Sequence, residues 1–139
     1  MARYTKSFTQ PVYLKRIEIK CERWTLDSIE LARTITKLLE EKKGEDILLL
    51  DISEVSDFSD YFVICSGTSE RMIEALASDI VKHLRNKNKV RGKVEGLPQD
   101  GWILVDYGPV LMHIFSPEKR TFYNLEELWS DGQVLLHLQ

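Results

Sequence analysis

Residues 101–115, GWILVDYGPVLMHIF, restrict the fold more than any other stretch of the chain. Two apolar runs flank Gly108-Pro109, a dipeptide that interrupts regular structure and marks a turn. Runs of this length on either side of a turn predict a β-hairpin. With Gly108 and Pro109 as a two-residue loop, Tyr107 pairs with Val110. The register then sets Trp102 opposite Phe115 and Leu104 opposite His113. Side chains alternate between the two faces of a strand. One face therefore carries Ile103, Val105, Tyr107, Val110, Met112 and Ile114, and belongs against a core. The other carries Trp102, Leu104, Asp106, Leu111, His113 and Phe115. Two large aromatics beside an acid and an imidazole suit a partner surface or a site, and they suit plain core about equally well.

The rest of the pattern supplies neighbours for this hairpin. Residues 27–43 read as an amphipathic helix, with Asp27 as N-cap and Glu30 completing a capping box. Ile29, Ala32, Ile35 and Leu39 form its apolar stripe, widened by Leu31 and Leu38, and Gly44 is its C-cap. Residues 47–52 and 61–66 are continuous apolar runs, as in strands buried on both faces. A polar, acidic loop joins them. Thr68 or Ser69 caps a long helix reaching about Asn86, with Ile73, Leu76, Ala77, Ile80 and Leu84 inward. Asn86 to Lys93 is a basic turn, and residues 90–95 suit a short edge strand. After the hairpin, residues 124–129 form a short helix capped by Asn124 with Glu127, its inner face being Leu125, Leu128 and Trp129. The order predicts one α/β domain with a mixed sheet of about five strands. Its span is residues 26–132, between an N-terminal extension (1–25) and a short C-terminal tail (133–139).

With 139 residues, a domain of this kind can bury a real core. The net charge of −3 argues against a protein that holds nucleic acid mainly through phosphate contacts, and it is compatible with a basic protein partner. Cys21 and Cys65 fit neither a metal knuckle nor a redox pair. Cys65 reads as a small buried hydrophobe in a reducing compartment. No apolar stretch has the length of a membrane span, and the first residues lack the apolar core of a secretory signal. The first seventeen residues have basic groups and no acid, yet Glu18 and Glu22 follow closely. An extension or an upstream start codon accounts for them better than an organellar transit peptide.

Few residues are arranged for chemistry. Gly67-Thr68-Ser69, between a strand and a helix, could hold a phosphate at the helix N-terminus. It lacks the lysine and spacing of a P-loop. The same strand–Gly–Ser/Thr–helix pattern occurs in nucleotidyltransferases, which need an Asp-x-Asp pair for metal ions. Here Glu95 and Asp106 stand singly. Ser69, Asp106 and His113 lack a nucleophile elbow. His83 follows Asp79 by four residues, as in a surface pair, and with His113 and His137 shows no metal-ligand spacing.

Three blocks carry a resemblance: LLLDISEVSDFSDYFVICSGTSERMIEAL, VEGLPQDGWILVDYGPVLMHIF and RTFYNLEELW. In these ordered blocks, spread over roughly residues 26–130, the sequence resembles the ribosomal silencing factor (Iojap) family. The resemblance implies a fold related to nucleotidyltransferases without their catalytic acids, no enzymatic activity and no cofactor. It implies a cytoplasmic protein that binds the large ribosomal subunit through large-subunit ribosomal protein fourteen and blocks joining of the small subunit. It also implies a tendency to homodimerise. The family's contact region maps onto Trp102, Asp106, Tyr107, Met112, His113 and Phe115. Asp57 and Asp60 are further candidates as acids facing a basic protein. The alternative is a nucleotidyltransferase-like enzyme or nucleotide binder using Gly67, Thr68 and Ser69. Isothermal titration with nucleotides and magnesium separates the two: a ribosome-binding factor is expected to give no binding heat.

Overall fold

A computed structural model describes residues 27–139. Two helices and a six-stranded sheet account for most of it. They are α1 (Ser28–Glu41), β1 (Glu45–Asp51), β2 (Tyr61–Ser66), α2 (Glu70–His83), β3 (Lys93–Glu95), β4 (Trp102–Asp106) and β5 (Val110–Phe115). Two short helices, α3 (Pro117–Tyr123) and α4 (Leu125–Leu128), and a last strand, β6 (Gln133–Leu138), complete the chain. The strands lie in the order β3-β4-β5-β2-β1-β6. The β2/β5 pair is parallel and the other pairs are antiparallel.

The hairpin register is as expected. Trp102 faces Phe115, Leu104 faces His113 and Val105 faces Met112. Tyr107 N–H donates to the Val110 carbonyl at 2.9 Å to close the turn. The apolar face of the hairpin joins Ile47, Leu49 and Val63 of the neighbouring strands beneath α1 and α2. Those helices bring Leu31, Ala32, Ile35 and Leu39, and Ile73, Leu76, Ala77 and Ile80, all buried. Period-2 strands and period-3.6 helices thus meet along one continuous core.

The N-terminal caps of α1 and α2 follow the sequence. Asp27 accepts from Glu30 N–H at 3.0 Å, and Ser69 accepts from Met72 N–H at 3.1 Å. The end of α1 differs by one position. Lys43 (φ 71°), not Gly44, takes the left-handed conformation. Lys43 N–H donates to the Glu40 carbonyl at 3.0 Å and Gly44 N–H to the Leu39 carbonyl at 2.8 Å, the paired bonds of a Schellman ending. Gly44 is needed for space: a Cβ there would lie 2.5 Å from Cys65 Sγ.

Four other expectations change, and one helix is added to them. The sheet has six strands, because residues 133–138 are no tail but β6, paired antiparallel with β1. Residues 117–123 are helical, with Ser116 accepting from Lys119 N–H and Pro117 in the first turn. Asn124 makes no side-chain cap; at φ 48° it is the left-handed joint between α3 and α4. Leu128 is exposed rather than inward, whereas Leu125 and Trp129 pack on the sheet. The expected Asp79–His83 pair gives way to an Asp79–Lys42 pair at 3.8 Å between the two large helices.

Gly44→Ala is expected to lower stability by about 1–3 kcal/mol through overpacking against Cys65. Urea unfolding of this variant and of Gly44→Ala/Cys65→Ala checks the cause. Truncating the sulfur should reduce the penalty of the alanine, and an unchanged penalty would rule the contact out.

Candidate functional site

The second face of the sheet is covered only in part, by α3 and α4. Its centre is core: Leu48, Leu50, Ile52, Phe62, Ile64, Leu111 and Phe115 are buried, with Trp102, Leu104, Leu125 and Trp129 half-buried around them. Aromatic rings run across this face in sequence. Tyr123 lies 4.6 Å from Trp102, between ring centres. Trp102 stacks on Phe115 at 5.0 Å and on His113 at 5.9 Å. Phe62 meets His113 edge-on at 4.7 Å and Trp129 at 5.5 Å, and Phe58 meets Trp129 at 5.7 Å. The two ends of this run reach solvent, Phe58 being 59% exposed and Tyr123 42%.

One hydrogen bond fixes the middle of the run. Trp102 Nε1 donates to His113 Nδ1 at 3.2 Å. An indole N–H can only donate, so Nδ1 is unprotonated and the neutral ring carries its proton on Nε2. That nitrogen is buried without a hydrogen-bond partner. Burial alone lowers the His113 pKa, to about 4, because a charged imidazolium has little solvation here. His113 is therefore a neutral acceptor that orients the indole. The outer edge of Trp102 lines a surface cleft of about 480 Å³ together with Gln99, Asp100, Lys119 and Tyr123.

The sequence candidates fall into three groups. Trp102, His113 and Phe115 come together in the aromatic run, but His113 and Phe115 are buried and only Trp102 is partly open. Asp106 and Asp60 come together at the hairpin tip. Asp106 Oδ1 accepts from Gly108 N–H at 2.7 Å, and Asp60 N–H donates to the Pro109 carbonyl at 2.8 Å. Asp57 is exposed in the same β1–β2 loop. Tyr107 and Met112 are buried on the opposite face, in the helix-covered core. Phe58, Phe62 and Tyr123 were not anticipated. Phe62 sits opposite Leu111 in the parallel β2/β5 register, so only the strand order reveals its face.

The Gly67-Thr68-Ser69 segment is used by its own structure. A Cβ at Gly67 would lie 2.9 Å from Ile73 Cγ1, so glycine lets the first turn of α2 pack closely. Ser69 caps that turn. Ser69 also lies past the Phe115 end of the strands, while Asp106 is at the other end, so no Ser–His–Asp array forms. Among the described residues, no three His, Cys, Asp or Glu side chains gather as metal ligands do.

A buried arginine holds the helical cover in place. Arg120 of α3 donates through Nε to Glu126 at 3.0 Å and through Nη1 to Ser66 Oγ at 2.8 Å and to the Asp46 carbonyl. Asp46, at φ 51° in a bulge of β1, also meets His137 of β6 at 2.6 Å. One guanidinium thus ties α3, α4, β1 and β2 together.

The fold and this surface define an α/β domain with a rigid aromatic face and no assembled catalytic array among the described residues. The family model described as "Ribosomal silencing factor during starvation" matches residues 25–138. The chain belongs to that family, the ribosomal silencing factors. It is 42% identical to "Ribosomal silencing factor RsfS" of Bacillus subtilis over 94 residues, covering 67% of this chain and 79% of that one. It is 36% identical to "Mitochondrial assembly of ribosomal large subunit protein 1" of Mus musculus, covering 69% of this chain and 43% of the mouse protein. A crystal structure from Chromobacterium violaceum superposes with a TM-score of 0.71 at 31% identity, covering 76% of this chain and 88% of that one. The family places this chain in translation regulation and ribosome association.

The lowered pKa of His113 makes the fold less stable in acid. Below about pH 6.5 the unfolded chain takes up the proton and the folded chain does not, so stability falls as pH drops from 6.5 to about 4 and then levels. Relative to His113→Leu, the wild type is expected to lose about 3 kcal/mol over that interval. Urea unfolding monitored by circular dichroism at a series of pH values measures this. Parallel profiles for the two proteins would refute it.

Proposed function

We propose that this protein binds the large ribosomal subunit through large-subunit ribosomal protein fourteen, and that it blocks joining of the small subunit and so represses translation. Its place of action is the cytoplasm, and no helix among the described residues is long and apolar enough to cross a membrane. The observation that carries the reading is Trp102, a partly exposed indole locked in place by His113 and Phe115. Large aromatics held rigidly at a surface are typical interface anchors, because little freedom is lost when they are covered.

In this reading Trp102, Asp106, Asp57 and Asp60 touch the partner. His113, Phe115, Met112 and Tyr107 act from beneath by shaping the sheet that presents them. The acids add electrostatic attraction toward a basic protein and raise the association rate more than the final affinity. Where homodimers form through this same face, binding the ribosome separates them.

Trp102→Ala is expected to weaken co-sedimentation with isolated large subunits by at least tenfold, on the scale of a hot-spot truncation of about 1.4–2 kcal/mol or more. The same variant should fail to inhibit subunit joining when small subunits are added, while keeping its fold by circular dichroism. Full binding by a folded Trp102→Ala protein would remove this face from the proposal. Free subunit joining in the presence of bound wild type would remove the silencing mechanism.

A further inference from the structure

The overall charge conceals a strong local asymmetry. Residues 82–93, KHLRNKNKVRGK, hold six of the chain's 19 Lys and Arg and none of its 22 Asp and Glu. Lys82, Arg85, Lys87, Lys89, Arg91 and Lys93 are all exposed. None forms an ion pair with a described carboxylate.

The backbone that carries them is firmly held. The end of α2 widens into a π-helical turn, Leu84–Asn88, and Lys89 (φ 59°) reverses the chain so that Val90 N–H reaches the Leu84 carbonyl at 3.0 Å. Leu84 and Val90 are buried as anchors. Two residues later, Gly92 passes so close to Tyr107 and Val105 that a Cβ would lie 2.6 Å from each side chain. Every apolar side chain of the stretch points inward, and the cations point out from a pinned loop. The stretch ends at β3, where Lys93 pairs with Asp106 in the register, which makes the basic surface continuous with the hairpin tip.

We propose that this surface contacts the phosphate backbone of RNA on the large subunit, without reading base sequence, beside the contact made by the hairpin face. The inference rests on the large-subunit reading given above. The chemistry favours RNA over two other anionic partners. A membrane-binding surface needs apolar or aromatic side chains to insert, and those of this stretch are buried. A protein interface is built around apolar and aromatic anchors and is depleted in lysine, whereas residues 82–93 hold four lysines and no exposed apolar side chain, exposed Val94 and Leu97 following only beyond them. A fixed array of Lys and Arg is what counterion release from a polyphosphate rewards.

The test uses the full chain, isolated large subunits and the variant Arg85→Gln/Lys87→Gln/Lys89→Gln/Arg91→Gln, which leaves Leu84, Val90 and Gly92 untouched. Dissociation constants measured across a range of KCl concentrations should give a log–log salt slope shallower by about 3 in the variant. Hydroxyl-radical footprinting should show a ribosomal RNA segment protected by the wild type and not by the variant, at concentrations where both are bound. An unchanged salt slope overturns the proposal alone, as does a slope that falls without any change in RNA protection, which would point to an acidic protein. Binding of the wild type to phosphatidylserine vesicles as tightly as to large subunits also overturns it, in favour of a membrane. Absence of wild-type binding to large subunits at every salt concentration overturns the large-subunit reading and this one with it.

Discussion

The parallel ladder between β2 and β5 is the constraint from which the remaining architecture follows. Tyr61 through Ser66 run alongside Val110 through Phe115, placing two strands with buried residues on both faces at the centre of the sheet. Parallel strands cannot be joined by a tight turn, so the chain between them must leave the sheet and return. That connection is α2, the basic turn, β3 and β4. The ladder also needs a second layer on the far side, since Phe62, Ile64 and Phe115 project away from α1 and α2. Helices α3 and α4 supply it, and they stop short of covering Trp102.

A strongly apolar centre with a thin second cover explains why buried polar groups occur where they do. Arg120 is enclosed with Nε and Nη1 reaching Glu126, Ser66 and the Asp46 carbonyl at once, while its buried Nη2 has no partner. An enclosed cation is costly unless so partnered, and removing any partner strands it. His113 is tolerated in another way: it stays neutral and accepts from the Trp102 indole. Each group secures the margin of the open face, Arg120 through the helices and His113 through the aromatic anchor.

Much of this was legible in the residues, for identifiable reasons. The two-residue loop Gly108-Pro109 fixes a register, because in a hairpin the turn and its length set which residues of the flanking strands pair. The stripes of α1 and α2 were legible because period 3.6 leaves little choice of face. Whether Trp102, His113 and Phe115 were surface or core could not be read, because that depends on what lies over the sheet. The cover includes α3, whose SPEKRTFY carries no apolar stripe, although Ser116-Pro117 is a start signal that could have been used. β6 escaped notice because six apolar and polar residues at an edge look like a tail until β1 is there to pair with them. Arg120 escaped because its burial is made by partners distant in sequence.

The hairpin tip separates two charged borders of the same sheet end. Asp51, Glu54, Asp57, Asp60 and Asp131 gather near the end of β1, while the lysines and arginines of residues 82–93 flank β3. Four strand spacings, roughly 19 Å, lie between β1 and β3. Among the described residues, the two borders of this sheet end thus differ in the sign of their charge. Two patches of opposite sign set apart on one face favour a single rotational setting against any surface that carries the complementary pair, before side chains touch.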